Sequence, residues 1–362
     1  MRNIGSFEEW INHISYNVAK NIAVIPQVIN HKRDENGFIR YKRNIIKLYE
    51  YMITGVKSLT HVVQGDMALG NDLYASTRIG KRENQQDAVL LIEDEDISGF
   101  KMMVVADGMG GHKHGEKASA IIVDSLKDWF RAMPYEKKKA YFQDISKIQD
   151  ELTEKINEIS QMIIEETNGE GKSTLSCALI GKKQSLIANI GDSRGYIILK
   201  GLLKQITHDD SFVQELFDMG IIPIKDLMRF HKKSNIVTKY VGNKESEEVE
   251  PHFYTLNNNE YSMILLFSDG VTDCLSEKEI AVICQNSDRE EVARRIVENS
   301  QRQTSKCPYN LGQQYYDEIK GGKDNSTAAA YIPHSGQEAK AFVERISGIW
   351  KLWNQYIKKE ER

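Results

Sequence analysis

Apolar residues at the start of the chain recur at helical spacing. Trp10, Ile14, Val18 and Ile22 fall four apart, and Ser6 with Glu9 ahead of them has the form of a capping box, so a helix is expected over about 7–23. Pro26 closes that region. After the polar turn Asp34-Glu35-Asn36-Gly37, the positions Ile45, Leu48, Tyr49, Met52 and Ile53 mark a second amphipathic stripe. Each helix is too short to be stable alone, so the pair is expected to pack as a cap on a larger body, with docking or regulation as the alternative.

From Leu73 the period shortens and apolar runs of strand length alternate with Gly and Asp turns. Strands are expected over 74–79, 88–92, 101–106, 185–190, 263–268 and 326–332, and helices over 115–129, 135–166 and 212–219, the last stopped by Gly220. Beyond Gly336 the spacing lengthens again, and Phe342, Ile346, Ile349, Trp350, Trp353 and Ile357 form one stripe. Three parts follow: a helical extension over 1–72, a main domain over 73–335 and an amphipathic helix over 336–362. The last is expected to pack on its own domain; a dimer contact or partner docking through the terminal helices is the alternative.

Bulk composition narrows the function classes. With 362 residues, 40% hydrophobic and 28% charged, the chain is typical of globular proteins, and its net charge of -4 offers no polybasic field for nucleic acid or acidic lipid. No apolar run is long enough to span a bilayer, and no apolar stretch follows Arg2 as a leader would require. Cys177, Cys274, Cys284 and Cys307 show no paired spacing, which fits reduced thiols and a cytoplasmic location.

The candidate chemistry lies at strand ends. Asp107, Asp192, Asp269 and Asp324 each stand beside a Gly or Asn where an expected strand begins or ends. If these ends share one edge of the fold the carboxylates crowd, and divalent cations relieve the repulsion. Oxygen ligands without a Cys or His pair at zinc spacing point to Mg²⁺ or Mn²⁺, with His112 and His114 read as polar loop residues. Gly169-Glu170-Gly171-Lys172-Ser173-Thr174 is not a phosphate loop, because Glu166 stands where that pattern needs its first glycine.

Five pieces occur in an order that carries a resemblance: Arg82-Glu83-Asn84-Gln85-Gln86-Asp87, Ala106-Asp107-Gly108-Met109-Gly110-Gly111, Asn189-Ile190-Gly191-Asp192-Ser193-Arg194, Ser268-Asp269-Gly270-Val271-Thr272-Asp273 and Gly322-Lys323-Asp324-Asn325-Ser326-Thr327. Together they resemble the motifs of the metal-dependent type 2C Ser/Thr protein phosphatases, bacterial-type members in particular. The resemblance implies an α+β fold, a four-layer α-β-β-α sandwich of two central, mostly antiparallel sheets flanked by helices. It also implies a centre of two Mg²⁺ or Mn²⁺ ions. Asp107 would then bridge both, Asp269 and Asp324 would complete the first, and the Gly108 carbonyl would serve the second, with Asp87 acting near it directly or through water. Asp192 would help hold a third, weaker ion, and Arg82 would bind the substrate phosphate. The implied substrate is a protein phosphorylated on serine or threonine, with an opposing kinase.

Those roles make chemical sense. A phosphomonoester dianion repels an anionic nucleophile, and two cations about 3.5–4 Å apart lower the pKa of a water and set it in line with phosphorus. Arg82 would neutralise and orient the phosphoryl oxygens. No covalent intermediate is needed, so Cys274 and Ser268 are not assigned as nucleophiles. Four positions depart from the family pattern. Met109 stands where many eukaryotic members have a histidine, as in bacterial-type members. Gln86 replaces an acid next to Asp87, Lys172 replaces a glycine, and Asp210 replaces a histidine. A phosphoprotein-binding scaffold and a small-phosphoester hydrolase are the alternatives.

Overall fold

The strand Asp87–Glu93, β4, is apolar from Ala88 to Ile92 because both of its faces are covered. Ala88, Leu90 and Ile92 enter one hydrophobic cluster while Val89 and Leu91 enter another, as a period of two requires. The structure is a computed structural model describing residues 58–60, 65–70, 72–109, 112–246, 248–307 and 313–333. The helices expected over 7–23 and around 45–53, and the stripe beyond Gly336, lie outside the described residues.

Two antiparallel sheets organise the chain. The first runs β1 (Ser58–Thr60), β4, β5 (Lys101–Met109), β7 (Leu175–Ile180), β8 (Gln184–Ile190) and β11 (His252–Asn257), with β6 (Lys172–Ser173) paired to the end of β5. The second runs β10 (Leu202–Gln205), β9 (Arg194–Leu199), β12 (Met263–Phe267), β15 (Ser326–Tyr331), β3 (Leu73–Arg78) and β2 (Gly65–Leu69), while β13 (Thr304–Lys306) and β14 (Glu318–Lys320) pair apart from both. Val89, Leu91, Met103 and Val105 of the first sheet share a cluster with Ala75, Ile197, Leu266 and Ala329 of the second. The opposite face of the first sheet packs on Ile122, Leu126 and Phe130 of α1 (His112–Ala132) and on Leu152, Ile156 and Ile159 of α3 (Gln149–Glu166). The second sheet's opposite face packs on Ile280 of α6 (Glu277–Gln285) and on Val292 and Ile296 of α7 (Val292–Arg302).

Several expectations shift. The single helix read over 135–166 is two, α2 (Tyr135–Gln143) and α3, separated by an extended Asp144 and a 3₁₀ turn at Ile145–Ile148. Ser146 Oγ donates to Asp144 Oδ1 at 2.7 Å, a local bond that competes with the helix, and the 3₁₀ turn buries Ile145 and Ile148. The helix expected over 212–219 is α4 (Phe212–Asp218), and the strand expected over 101–106 continues to Met109. Residues 58–60 and 65–69 pair with β4 and β3, so sheet-forming sequence starts before Leu73 and the stretch 1–72 is not helical throughout. These strands are too short to show a period. Among the described residues no helix is long and apolar enough to cross a membrane.

The shared cluster between the sheets is the mechanical centre of this arrangement. Leu91 is fully buried in it; Leu91→Ala is expected to lower unfolding free energy by about 2–5 kcal/mol in urea titrations.

Candidate metal centre

Side-chain parity carries the acids into the space between the sheets. Met103 and Val105 of β5 face the second sheet, so Asp107, two residues on, faces the same way. Asp87 follows Val89 and Leu91 in the same sense, and the register sets it directly opposite Asp107. Opposite residues of an antiparallel pair have neighbouring side chains, and like charges there are unfavourable. From the second sheet, Asp269 opens the short helix α5 (Asp269–Thr272) just after β12, and Asp324 precedes β15. Because β12 and β15 are antiparallel neighbours, both acids reach the same sheet end.

A hydrogen-bonded frame holds these positions. Asp107 is gripped by its backbone: its N–H donates to Thr174 Oγ1 at 3.0 Å, and its carbonyl accepts from Thr174 N and Ser173 Oγ, both at 2.9 Å. Ser268 Oγ donates to Asp87 Oδ2 at 2.8 Å. Asn325 ties down the loop that carries Arg82, since its Oδ1 accepts from Gln86 N and its Nδ2 donates to the carbonyls of Ile79 and Asn84. Close approach explains two glycines. A Cβ on Gly108 would lie 2.1 Å from the Gly115 carbonyl oxygen, and one on Gly270 would lie 1.9 Å from that of Asn325.

The result is a cavity of about 580 Å³ whose wall includes Arg82, Asp107, Gly108, Asp192, Asp269 and Asp324. Sequence reasoning named all six. Asp87 lies behind the wall, 5% exposed and bonded to Ser268. Arg82 Nη2 meets Asp324 Oδ2 at 2.6 Å, and this bond raises the guanidinium pKa further. Asn235, Val237 and Asp273 were missed. Asn235 and Val237 come from a segment without a motif, whereas Asp273 had a signal: it stands one helical turn after Asp269. Asp210 proves structural, its Oδ2 accepting from Gly191 N at 2.9 Å and its Oδ1 meeting His252 Nε2 at 3.0 Å. Arg194 pairs with Asp209 at 2.6 Å.

Electrostatics at the cavity oppose ionisation. Burial, then the nearby carboxylates Asp269, Asp87 and Asp324, push the Asp107 pKa well above the usual range. Burial likewise raises Asp87 to about 7 despite donors from Thr327 and Ser268, Asp269 to about 6 and Asp273 to about 8. Asp192 rises for the same reason, with Asp269 as the next cause. Asp87 Oδ1 and Asp269 Oδ1 are buried without a hydrogen-bond partner. Crowded, all-oxygen anionic donors with such orphaned atoms fit a hard divalent cation. They line a wall rather than a finished shell, for among the described residues no three His, Cys, Asp or Glu side chains are grouped to hold an ion as they stand. The cysteines offer no rival nucleophile: none is bridged, and burial pushes the thiols of Cys177, Cys274 and Cys284 up to about 12.

Two facing antiparallel sheets thus carry an acidic, all-oxygen cavity at one shared end, and comparison with known proteins assigns the class. The family described as Protein phosphatase 2C matches residues 76–306, and the chain belongs to that family. It is a phosphoprotein phosphatase. Its sequence is 32% identical over 211 residues to the serine/threonine phosphatase stp of Listeria welshimeri, covering 57% of this chain and 79% of that one. Against the serine/threonine protein phosphatase PstP of Mycobacterium tuberculosis it is 31% identical over 215 residues, 57% of this chain and 38% of the relative. The crystal structure of Stp1 from Staphylococcus aureus superposes with a TM-score of 0.57 at 27% identity, covering 76% of this chain and 98% of that one.

The raised pKa values set a sign for stability. An acid whose pKa is higher in the fold than in the unfolded chain stabilises the fold while protonated, and that contribution is lost as pH rises through the folded value, here about 6 to 7 for Asp269 and Asp87. Removing one charge from the cluster relieves the others. In EDTA at pH 8, Asp107→Asn is expected to melt roughly 2–6 °C above wild type, with the gap shrinking toward pH 5. Calorimetry showing equal or lower melting at pH 8 sinks this account of the site.

Proposed function

We propose that the chain hydrolyses phosphoserine and phosphothreonine in proteins at a centre of two Mg²⁺ or Mn²⁺ ions, from a cytosolic location. The observation that carries this reading is the meeting of Asp107, Asp269 and Asp324, from three strand ends on two sheets, on one cavity wall with Arg82. The names of the relatives support serine and threonine specificity. In this reading the architecture is the four-layer α-β-β-α sandwich, and the catalytic unit is 73–335 together with the strands of 58–69.

Asp107 would bridge the two ions, Asp269 and Asp324 would complete the first, and the Gly108 carbonyl would serve the second. That carbonyl lies against Gly115. Asp87, beneath the wall, would act on the second ion from behind or through water, and Asp192 would contribute to a third, weaker site with Asp273 as its neighbour. When bound, the ions supply charge neutralisation and an acidified water. Arg82 supplies the complementary binding, for its side chain is half exposed at the cavity and its planar fork suits two phosphoryl oxygens. Asp324, if it held a cation, would give up its ion pair with Arg82 and leave the guanidinium free for the phosphoryl oxygens. No histidine lines the cavity among the described residues, so the leaving group takes its proton from solvent rather than from a side chain at position 109.

Binding of cations must displace protons from acids whose pKa values lie near 6 to 8, so Mn²⁺ affinity is expected to rise between pH 6 and 8 with proton release. With a phosphothreonine peptide, Mn²⁺ should elicit hydrolysis, and Asp107→Asn or Asp269→Asn should lower kcat by about 10²–10³-fold or more. Arg82→Ala should lower kcat/KM by about 10–100-fold, with Arg82→Lys restoring only part. A metal-loaded wild-type protein that turns over no phosphoester would leave a phosphoprotein-binding scaffold instead. Calorimetric titration with Mn²⁺ separates the two, since a scaffold has no need of two ions.

A further inference from the structure

A second, open groove of about 640 Å³ adjoins the acidic cavity. Met109, Asn235 and Val237 line both, so the two are continuous. A polypeptide whose phosphorylated side chain enters the cavity therefore lays its flanking residues along the groove. The spacing follows from the sheet. Lys172 pairs across from Met109, two residues past Asp107, which sets its backbone roughly 8 Å from that of Asp107 at about 3.4 Å per residue and about 5 Å between strands. That is two or three residues of extended chain.

Two ammonium groups face this groove. Lys172 Nζ donates to Tyr240 Oη at 3.0 Å and sits 4.4 Å from that ring's centroid. The ring and hydroxyl hold the cation in place without neutralising it. Lys244 lays its stem across Gly169, where a Cβ would lie 3.0 Å from its Cδ, and it too lines the groove. Neither lysine forms an ion pair among the described residues. The one carboxylate on the lining, Glu170, is turned to His114 Nε2 at 3.1 Å. On a chain of net charge -4 this is a local positive spot.

We propose that the groove is a specificity subsite that takes an anionic substrate side chain, a carboxylate or a second phosphate, two or three residues from the phosphorylated residue. The inference rests on the phosphoprotein reading above. A single exposed ion pair contributes little, but two cations on one anion, one of them held in position beforehand, give a preference of about five- to tenfold.

The test uses the full chain with Mn²⁺ and phosphothreonine peptides carrying Ala, Asp, Lys or phosphoserine at two and at three residues on either side. The quantity read is kcat/KM for each peptide relative to its alanine version, taken within each protein so that general activity cancels. Wild type should favour Asp or phosphoserine at one of these positions by about five- to tenfold, chiefly through KM, and should disfavour Lys. Lys172→Gln/Lys244→Gln should bring the ratios close to one, while Lys172→Arg should keep the preference. Comparing Asp with phosphoserine tells a carboxylate subsite from a phosphate one. A wild type without preference, or a double variant that retains it, overturns the subsite while hydrolysis of p-nitrophenyl phosphate leaves the phosphatase reading standing. Loss of hydrolysis of every phosphoester, p-nitrophenyl phosphate included, overturns both.

Discussion

The constraint on which this site depends is the placement of Asp87 directly across from Asp107 on neighbouring strands, both turned into the space between two sheets. Farther from the sheet end that space is filled by Val89, Leu91, Met103 and Val105, and the same parity that buries those residues carries the two acids inward. Asp269 and Asp324 arrive from the second sheet because β12 ends where its antiparallel neighbour β15 begins. Four carboxylates are thereby assembled with few donors to satisfy them. Hydrophobic packing does this work, since no attraction among the acids would hold them there.

Such an arrangement persists because its backbone is over-determined. Ser173 and Thr174 hold Asp107 by its main chain, leaving the carboxylate itself ungripped. Asn325 fixes the Arg82 loop through three hydrogen bonds. Ser268 takes one oxygen of Asp87 and leaves the other without a partner. The polar residues around the acids therefore position the carboxylates more than they quench them, a division of labour suited to residues that must stay available to a cation.

Much of this was legible in the residues, and the reasons are local. Asp107, Asp269 and Asp324 each follow or precede an apolar run and sit beside Gly or Asn, so strand ends and turn chemistry mark them without tertiary information. Three kinds of feature escaped. Strands β1 and β2 are three and five residues long, too short to show a period, so the sheets begin earlier than the pattern suggested. Asn235 and Val237 reach the cavity from a segment of irregular structure, and only tertiary folding brings them there. The partner of Arg194, at the end of the third motif, is Asp209, fifteen residues on, which no local spacing marks. Each miss is a contact between distant segments or an element too brief to declare its type.

The departures from the family pattern sort by geometry into two groups. Asp210 binds the Gly191 turn and His252, so its exchange for a histidine has been absorbed by backbone and His252 contacts, away from the cavity that Gln86 lines. Met109 and Lys172 are different, because they stand opposite each other at the mouth of the site. Met109 places an apolar, polarisable side chain where the cavity meets the groove, and Lys172 places a cation just beyond it. Chemistry at the carboxylates and recognition along the strand pair are thus separated by two residues of β5 and one strand spacing. A change at Lys172 can retune which flanking sequence is accepted while Asp107, held from its backbone by the next two residues, keeps its position.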